Sequence, residues 1–260
     1  MGRKAVATAS LGALILTGAL ANARVAGPNE GAPARTAREV QKLFEGRYRH
    51  ASTLKAIFYE RYSSGKQTGE AESGTVYFSR PGRMRWEYES PAKKLFIVDG
   101  KNVWFYIPED HTASRATMKN SSDWRTPIAL LAENADLGKV CKSIDLVKVP
   151  AGRSGAERSG TDRSTSTGGT AQGSSDDSVL SCAPRVKSDE TGQAISDILL
   201  TIDPNGYLVR VLIQQPGDVT TEFRFGNWQR NIPIAEAKFH FEPPPGVEIV
   251  DEDKLAGQMN

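Results

Sequence analysis

The residues that could support catalysis or metal binding lack the spacing that such chemistry needs. His50, His111 and His240 stand in unrelated contexts, without the HxxxH or HxH spacing that places two imidazoles on one metal ion. The sequence has no GxSxG nucleophile elbow and no glycine-rich loop that opens a helix to hold phosphate. The acidic run 251–253 is more typical of a solvated chain end than of a metal site. We therefore expect a non-enzyme without metal or cofactor, and a Ser/His/Asp set assembled by folding is the alternative.

The first 23 residues have the composition of a secretory signal peptide. Arg3 and Lys4 precede an apolar run, which ends in the small-x-small pattern Ala21-Asn22-Ala23. Cleavage after this pattern removes two positive charges and lowers the formal net charge from +2 to 0. No cysteine lies near the cleavage site to accept a lipid, so we expect a soluble protein released into an exported compartment. An uncleaved membrane anchor is the alternative.

Composition is that of an ordinary soluble globular protein. Charged residues make up 25% and hydrophobic residues 38% of the chain, and a formal charge of +2 is not the basic excess of nucleic-acid-binding proteins. We expect a flexible segment at 24–35, one folded domain at 36–253 and a tail at 254–260. Residues 151–177 are dominated by Ser, Gly and Thr without a large apolar side chain, which predicts a disordered insertion within the domain.

The two cysteines, Cys141 and Cys182, flank this insertion. An even number of cysteines in an exported protein favours a disulfide, and the lack of a CxxC pair argues against redox chemistry. Pairing of the predicted strands 142–149 and 179–187 would bring the two cysteines near each other. Two buried free thiols are the alternative.

The periodicity of the chain predicts a mainly antiparallel sheet with few helices. An amphipathic helix is expected at 36–54 and a short one at 126–133, which presents Ile128 and Leu131 on one apolar face. About ten strands follow one another with short turns, the last of them at 237–243, so the sheet is not wound from βαβ units.

The strands between residues 84 and 107 carry more apolar surface than one sheet face needs. KLFIV (94–98) and NVWFYI (102–107) have apolar residues on both faces, whereas small antiparallel sheets usually keep one face wet. One interpretation is an ordinary core that buries both faces. The other is a half-open barrel with a ligand cavity under covering helices, whose mouth would suit Trp86, Tyr88 and Trp104 because their polar tips tolerate water.

Three motifs occur in a fixed order along the chain. Residues 79–91 read SRPGRMRWEYESP and 95–109 read LFIVDGKNVWFYIPE, 126–133 read TPIALLAE, and 238–251 read KFHFEPPPGVEIVD. The first resembles the basic-Pro, Trp-strand and DGK-x-x-W-x-Y-x-P pattern of the LolA family of periplasmic outer-membrane lipoprotein carriers. The second and third resemble the family's lid-like helix and its closing FxFxPPxGV region. The resemblance covers 36–253 apart from the insertion.

This resemblance implies a mainly β (α+β) fold, an incomplete antiparallel β-barrel with helices over an apolar cavity. It also implies a monomeric carrier that accepts acylated lipoproteins from an inner-membrane ATP-driven release complex and delivers them to an outer-membrane acceptor. By motif, Arg80 governs closure of the cavity, and Met84 lies at its opening and takes part in contact with the release complex. The predicted lipid cavity and gate comprise Arg80, Met84, Trp86, Tyr88, Leu95, Ile97, Trp104, Tyr106, Ile128 and Leu131.

Two related functions remain open at this stage. The same half-barrel could carry other amphiphiles such as glycolipids, which the residues do not distinguish from lipoproteins. It also serves as a lipoprotein-sensing regulator of envelope stress, although such regulators carry a second C-terminal domain and this chain ends about ten residues after FEPPPGVEI.

Overall fold

One large β-sheet forms the framework of the chain. The computed structural model describes residues 2, 35–117, 128, 130–147, 176–185 and 195–252. The elements lie in one compact unit that begins at Arg35. Among the described helices, none has the length and apolar character needed to span a membrane. The predicted signal peptide, almost all of the insertion and the tail lie outside the described residues.

Two α-helices longer than one turn are described, α1 (Ala37–Tyr48) and α2 (Leu137–Val140), with short 3-10 helices at Leu130–Ala132 and Glu236–Phe239. The strands within the described ranges are β1 Thr53–Ser64, β2 Gln67–Thr68, β3 Glu72–Ser79, β4 Arg83–Ser90, β5 Lys94–Val98, β6 Asn102–Ile107, β7 Thr112–Thr117, β8 Cys141–Val147, β9 Ser178–Pro184, β10 Asp197–Ile202, β11 Leu208–Gln215, β12 Val219–Arg230 and β13 Glu248–Asp251.

The strands join into an open sheet that does not close on itself. Its order is β13-β7-β6-β5-β4-β3-β1-β12-β11-β10-β9-β8, with the short β2 paired to β1. Every pair is antiparallel except β13 with β7, which is parallel. The central contact joins the first strand to β12 over ten residue pairs, from Leu54–Arg230 to Ser64–Val219. The predicted antiparallel half-barrel is therefore confirmed, with a parallel edge strand that the sequence did not indicate.

Helix α1 begins at a capping box. The Thr36 side chain accepts a hydrogen bond from the Glu39 amide, and the Glu39 carboxylate accepts one from the Thr36 amide. The helix ends at Tyr48 rather than at the predicted residue 54. Residues from Thr53 onward are taken by the ladders with β3 and β12, because sheet pairing outweighs local helix propensity there.

A turn glycine allows α1 to lie close to the sheet. Gly206 has a φ of +87°, and a Cβ at this position would come within 2.8 Å of the Leu43 carbonyl oxygen. Arg47 donates from Nε to the Asn205 carbonyl at 2.7 Å in the same turn. The Pro204-Asn205-Gly206 turn therefore also contacts α1 and holds the helix against the sheet.

The disulfide is present. Cys141 at the start of β8 is bonded to Cys182 in β9, across a separation of 41 residues. These strands pair antiparallel, as predicted. The bond therefore ties the last strand of the open sheet, and α2 directly before it, to the rest of the structure.

Two strand predictions were wrong. The predicted strand at 237–243 is a 3-10 helix followed by extended chain, because Phe239 and Phe241 pack onto the sheet face instead of joining its edge. Strand β7, TASRAT, was missed because its side chains are small or charged and lack a strong period-two apolar signal.

Candidate functional site

The inner face of the sheet, defined here as the face that α1 covers, carries a dense aromatic cluster. The Trp86 ring lies 4.7 Å from that of Phe58 and 5.6 Å from that of Phe223, measured between centroids. The rings of Phe78 and Phe225 also lie next to Trp86, with centroid distances of 6.4 and 6.2 Å. All five side chains are at most 2% exposed. The centre of the open sheet is thus an apolar interior built from four neighbouring strands.

Helix α1 closes one side of this interior. Its Tyr48 ring packs against Trp228 at 5.4 Å, and the Tyr48 hydroxyl accepts a hydrogen bond from the Leu208 amide at 2.9 Å. The Trp228 indole donates to the Leu208 carbonyl at 2.7 Å. Burial raises the pKa of Tyr48, so its hydroxyl stays neutral. The helix is thereby fixed to β11 and β12 by both rings and hydrogen bonds.

A second covering element is the cover segment, defined as Ile128 together with residues 130–137. Ile128, Leu131 and Leu137 are 0% exposed and belong to the same core as the aromatic cluster. The part of the predicted helix 126–133 that is described includes a helical Ile128 and the 3-10 turn Leu130–Ala132. Its apolar face therefore lies on the interior, as the sequence predicted for Ile128 and Leu131.

Arg80 fastens this cover segment to the sheet. Its Nε donates to the Leu131 carbonyl at 3.1 Å, and its Nη1 donates to the Arg49 carbonyl just after α1 at 2.9 Å. The Gly82 amide adds a backbone bond to the Ala132 carbonyl at 2.9 Å. Burial lowers the pKa of Arg80, an effect that the nearby Glu133 carboxylate opposes. One guanidinium thus joins three elements: the β3–β4 turn, α1 and the cover segment.

The other end of the cover segment is held by Glu45. This buried carboxylate accepts from the Leu137 amide at 3.3 Å and from the Gln41 side chain at 2.8 Å. Asp136 caps α2 by accepting from the Gly138 amide at 2.9 Å. The cover segment is therefore attached by polar contacts at both ends and by apolar contacts between them.

The structure divides the predicted cavity residues between two faces of the sheet. Met84, Trp86 and Tyr88 are buried on the inner face with Ile128 and Leu131. Register places four others on the opposite, outer face, since Ile97 pairs with Arg85 and Trp104. These four are Leu95, Ile97, Trp104 and Tyr106. The predicted set does not form one surface, because side chains of successive strand residues alternate between faces. Trp86 lies in the packed interior at 0% exposure rather than at a wet mouth.

The outer apolar surface is covered by the chain's own C-terminal strap, defined as residues 236–251. Phe241 packs 5.3 Å from both Trp104 and Tyr106, and Phe239 is 2% exposed. The Lys238 ammonium lies 4.1 Å from the Tyr77 ring centroid. The strap accounts for the apolar excess of β5 and β6, because the chain itself covers that face.

The DGK-x-x-W part of the motif forms a hairpin turn. Asp99 accepts from the Lys101 and Asn102 amides at 2.7 Å each and from the Asn102 side-chain amide at 3.1 Å. Burial alone raises the pKa of Asp99, but hydrogen bonds outweigh it and lower the pKa overall. The motif therefore fixes the β5–β6 turn.

Ion pairs hold the strap to β4. Glu87 accepts from Arg85 Nε at 2.7 Å and from Lys238 Nζ at 3.0 Å, and Arg83 contacts Glu236 at 3.2 Å. Burial raises the pKa of Glu87, yet the hydrogen bonds and charges of Arg85 and Lys238 outweigh this effect and lower the pKa below 4.5. Ionised Glu87 therefore stabilises the attachment of the strap.

We expect the ion pairs of Glu87 with Arg85 and Lys238 to stabilise the folded protein at neutral pH and to lose this effect in acid. A lowered folded-state pKa contributes stability above the ordinary value of 4.5, and this contribution disappears as the pH falls through the lowered pKa. The unfolding free energy of Glu87→Gln, measured by urea denaturation between pH 7 and 3, should fall less steeply with decreasing pH. Lys238→Met, which removes one of the two cations, should give an intermediate slope. Equal slopes in Glu87→Gln and the parent protein would contradict this role.

The inner face becomes polar at the end remote from Arg80. The Tyr88 hydroxyl donates to Glu60 at 2.7 Å, and Lys94 forms an ion pair with Glu72. Lys94 also lies 5.7 Å from the Tyr88 ring centroid. The register places all four side chains on the same face as the aromatic cluster. The interior therefore runs from an apolar end under the cover segment to a charged end.

Several residues of the interior were not predicted as site residues. Phe58, Phe223 and Phe225 alternate with polar residues in their strands. This alternation shows that one face of each strand is buried, but not whether it is the inner or the outer face of the sheet. Glu45 gave no signal, because its role depends on the fold of residues 136–137. Among the residues that the structure describes, no group of three or more His, Cys, Asp or Glu side chains could hold a metal ion.

Comparison with known proteins agrees with this arrangement. A family model described as outer membrane lipoprotein carrier protein LolA matches residues 49–149, which include Arg80 and the cover segment. An outer-membrane lipoprotein carrier protein of Nitrosospira multiformis is 27% identical over 207 residues, covering 78% of this chain and 84% of the relative. The predicted resemblance to the LolA family is therefore confirmed over this part of the chain.

Other proteins match over a similar share of the chain. The outer-membrane lipoprotein carrier protein of Xanthomonas axonopodis pv. citri is 28% identical over 184 residues, covering 70% of this chain and 74% of the relative. A crystal structure of a LolA superfamily protein from Nitrosomonas europaea aligns over 80% of this chain and 99% of its own, with 10% identity and a TM-score of 0.41. The curated relatives are named as carriers rather than enzymes.

Proposed function

We propose that this chain is a member of the LolA family and a periplasmic carrier that shields the acyl chains of lipoproteins released from the inner membrane. It accepts them from an ATP-driven release complex and gives them to an outer-membrane acceptor, and it acts as a monomer. The observation that carries this proposal is the fastened cover segment over an apolar interior. The cover segment is held by a few hydrogen bonds with Arg80, Gly82 and Glu45 and is not a strand of the sheet, so the interior can be opened without breaking the strand ladders.

Energetics favour a cover that opposes binding. Burying one methylene group yields about 0.8 kcal/mol, so one C16 chain yields about 12 kcal/mol. Three fully buried chains would exceed the roughly 20 kcal/mol at which non-covalent affinities saturate, and a carrier must release its cargo. Breaking the Arg80 contacts and exposing the buried faces of Ile128 and Leu131 offsets part of the binding energy. The closed cover thus makes tight shielding compatible with transfer.

The proposal is tested by release of lipoproteins from spheroplasts. The exported protein is added to spheroplasts, and the supernatant is analysed for lipoprotein that co-purifies with it, with an unrelated periplasmic protein as control. A soluble complex supports the carrier function. No release, combined with binding of extracted glycolipids or phospholipids, would assign the chain to carriers of other amphiphiles. If neither cargo bound, the interior would be an ordinary core and the proposal would fail.

A further inference from the structure

The inner face contains a buried hydrogen-bond donor that has no partner. Trp86 is 0% exposed, and its Nε1 makes no hydrogen bond within the described part of the chain. Trp228 in the same interior differs, since its indole donates to the Leu208 carbonyl. A buried donor without an acceptor costs about 1–3 kcal/mol, so native proteins rarely retain one.

The position of this donor relates it to the cargo. On strand β4, inner-face residues succeed one another from Met84 near the Arg80 end, through Trp86, to Tyr88 at the charged end with Glu60. Alternate strand residues lie about 7 Å apart. An acylated lipid has the same order along its length: apolar tails, then acyl carbonyls, then a polar head. Tails that lie under the cover segment, with the head near Tyr88 and Lys94, place the carbonyls beside Trp86.

We propose that Trp86 Nε1 donates a hydrogen bond to an ester carbonyl of the bound acyl lipid. This inference rests on the proposed carrier function and adds a specificity determinant to it. An ester carbonyl accepts a hydrogen bond but carries no N–H of its own, so it satisfies a lone donor in apolar surroundings. An amide would bring a second polar group that also needs a partner. The interior therefore selects ester-linked over ether-linked chains.

The test compares two lipopeptides that differ only in this linkage. One is an N-acetyl cysteinyl peptide with an S-dipalmitoylglyceryl group, and the other carries the dihexadecyl ether in its place. The exported protein should bind the ester form about five- to tenfold more tightly, the effect of one neutral hydrogen bond in a buried site. Trp86→Phe should abolish this preference while it still binds the ether form.

Trp228→Phe is the matched control, because the Trp228 donor is already satisfied. It should retain the ester preference, and thermal melting should establish that both variants fold. In protein labelled with ¹⁵N-tryptophan, the indole N–H resonance that Trp86→Phe removes should move downfield with the ester form and not with the ether form. Equal affinity of the parent protein for both lipopeptides, or a preference that persists in Trp86→Phe, would overturn the inference but leave the carrier function intact.

A second arm separates the sources of the carbonyl. Ester- and ether-linked phosphatidylglycerol are compared in the same assay. An ester preference that depends on Trp86 supports a carbonyl site open to phospholipids as well, and no phospholipid binding supports one reserved for lipoproteins. A phospholipid ester preference that survives Trp86→Phe would contradict the assignment. If the protein bound none of these lipids, both this inference and the proposed function would be overturned.

Discussion

Arg80→Leu is expected to load cargo normally and to retain it when the acceptor is offered. In the closed state the guanidinium holds the cover segment at Leu131 and the end of α1 at Arg49. Leucine can donate neither bond, so the closed empty state loses stability relative to the open loaded state. Each hydrogen bond from a charged group contributes about 1.5–3 kcal/mol, partly offset by the desolvation of the guanidinium.

A net loss of about 2 kcal/mol corresponds to roughly thirtyfold slower or less complete transfer. The measurement is the fraction of bound lipoprotein that moves to outer-membrane vesicles with time. Arg38→Leu is the matched control, because it makes the same substitution at an exposed position of α1. If the Arg80→Leu variant transferred lipoprotein as fast as the control variant, the proposed role of Arg80 in closing the cover segment would be contradicted.

Met84→Glu is expected to unfold much of the protein rather than to act on a docking surface. Met84 is 4% exposed and pairs with Phe78 and Val98 on the inner face. A carboxylate there would be buried without a charged partner, which costs about 3–5 kcal/mol of folding free energy. The measurement is the unfolding free energy from urea denaturation at pH 7.

Met84→Leu is the matched control for this substitution. It keeps volume and polarity and should cost less than about 1.5 kcal/mol. Unfolding free energies within 1 kcal/mol of each other for the glutamate variant and the parent protein would show that the site reaches solvent. In that case the motif-based role of Met84 in contact with the release complex would gain support.

Much of the fold followed from patterns within single strands. The alternation Met84, Trp86, Tyr88 identified one buried face of β4, and Asp99-Gly100 identified the tight turn between β5 and β6. The pairing of Cys141 with Cys182 followed from cysteine number and strand order. These predictions succeeded because local periodicity and turn chemistry are properties of neighbouring residues.

What failed depended on contacts between distant parts of the chain. Trp104 and Ile97 looked like cavity residues because the sequence shows two apolar faces but not what covers each of them. The strap, through Phe239 and Phe241, lies more than 130 residues from the face that it covers. Conversely, Glu45 and the unpartnered Trp86 donor became visible only when all their neighbours could be examined. Site residues were therefore harder to predict than strands.

We propose that acyl chains enter the inner face under the cover segment and not the outer apolar face. The most direct measurement uses a lipopeptide with a diazirine in its acyl chain, bound to the protein, cross-linked by light and mapped by mass spectrometry. We predict that labels fall on inner-face residues such as Phe58, Phe223 and Phe225 and on the cover segment. Labels concentrated on Trp104, Tyr106 and Phe241 would contradict the account, because the strap would then be the element that opens.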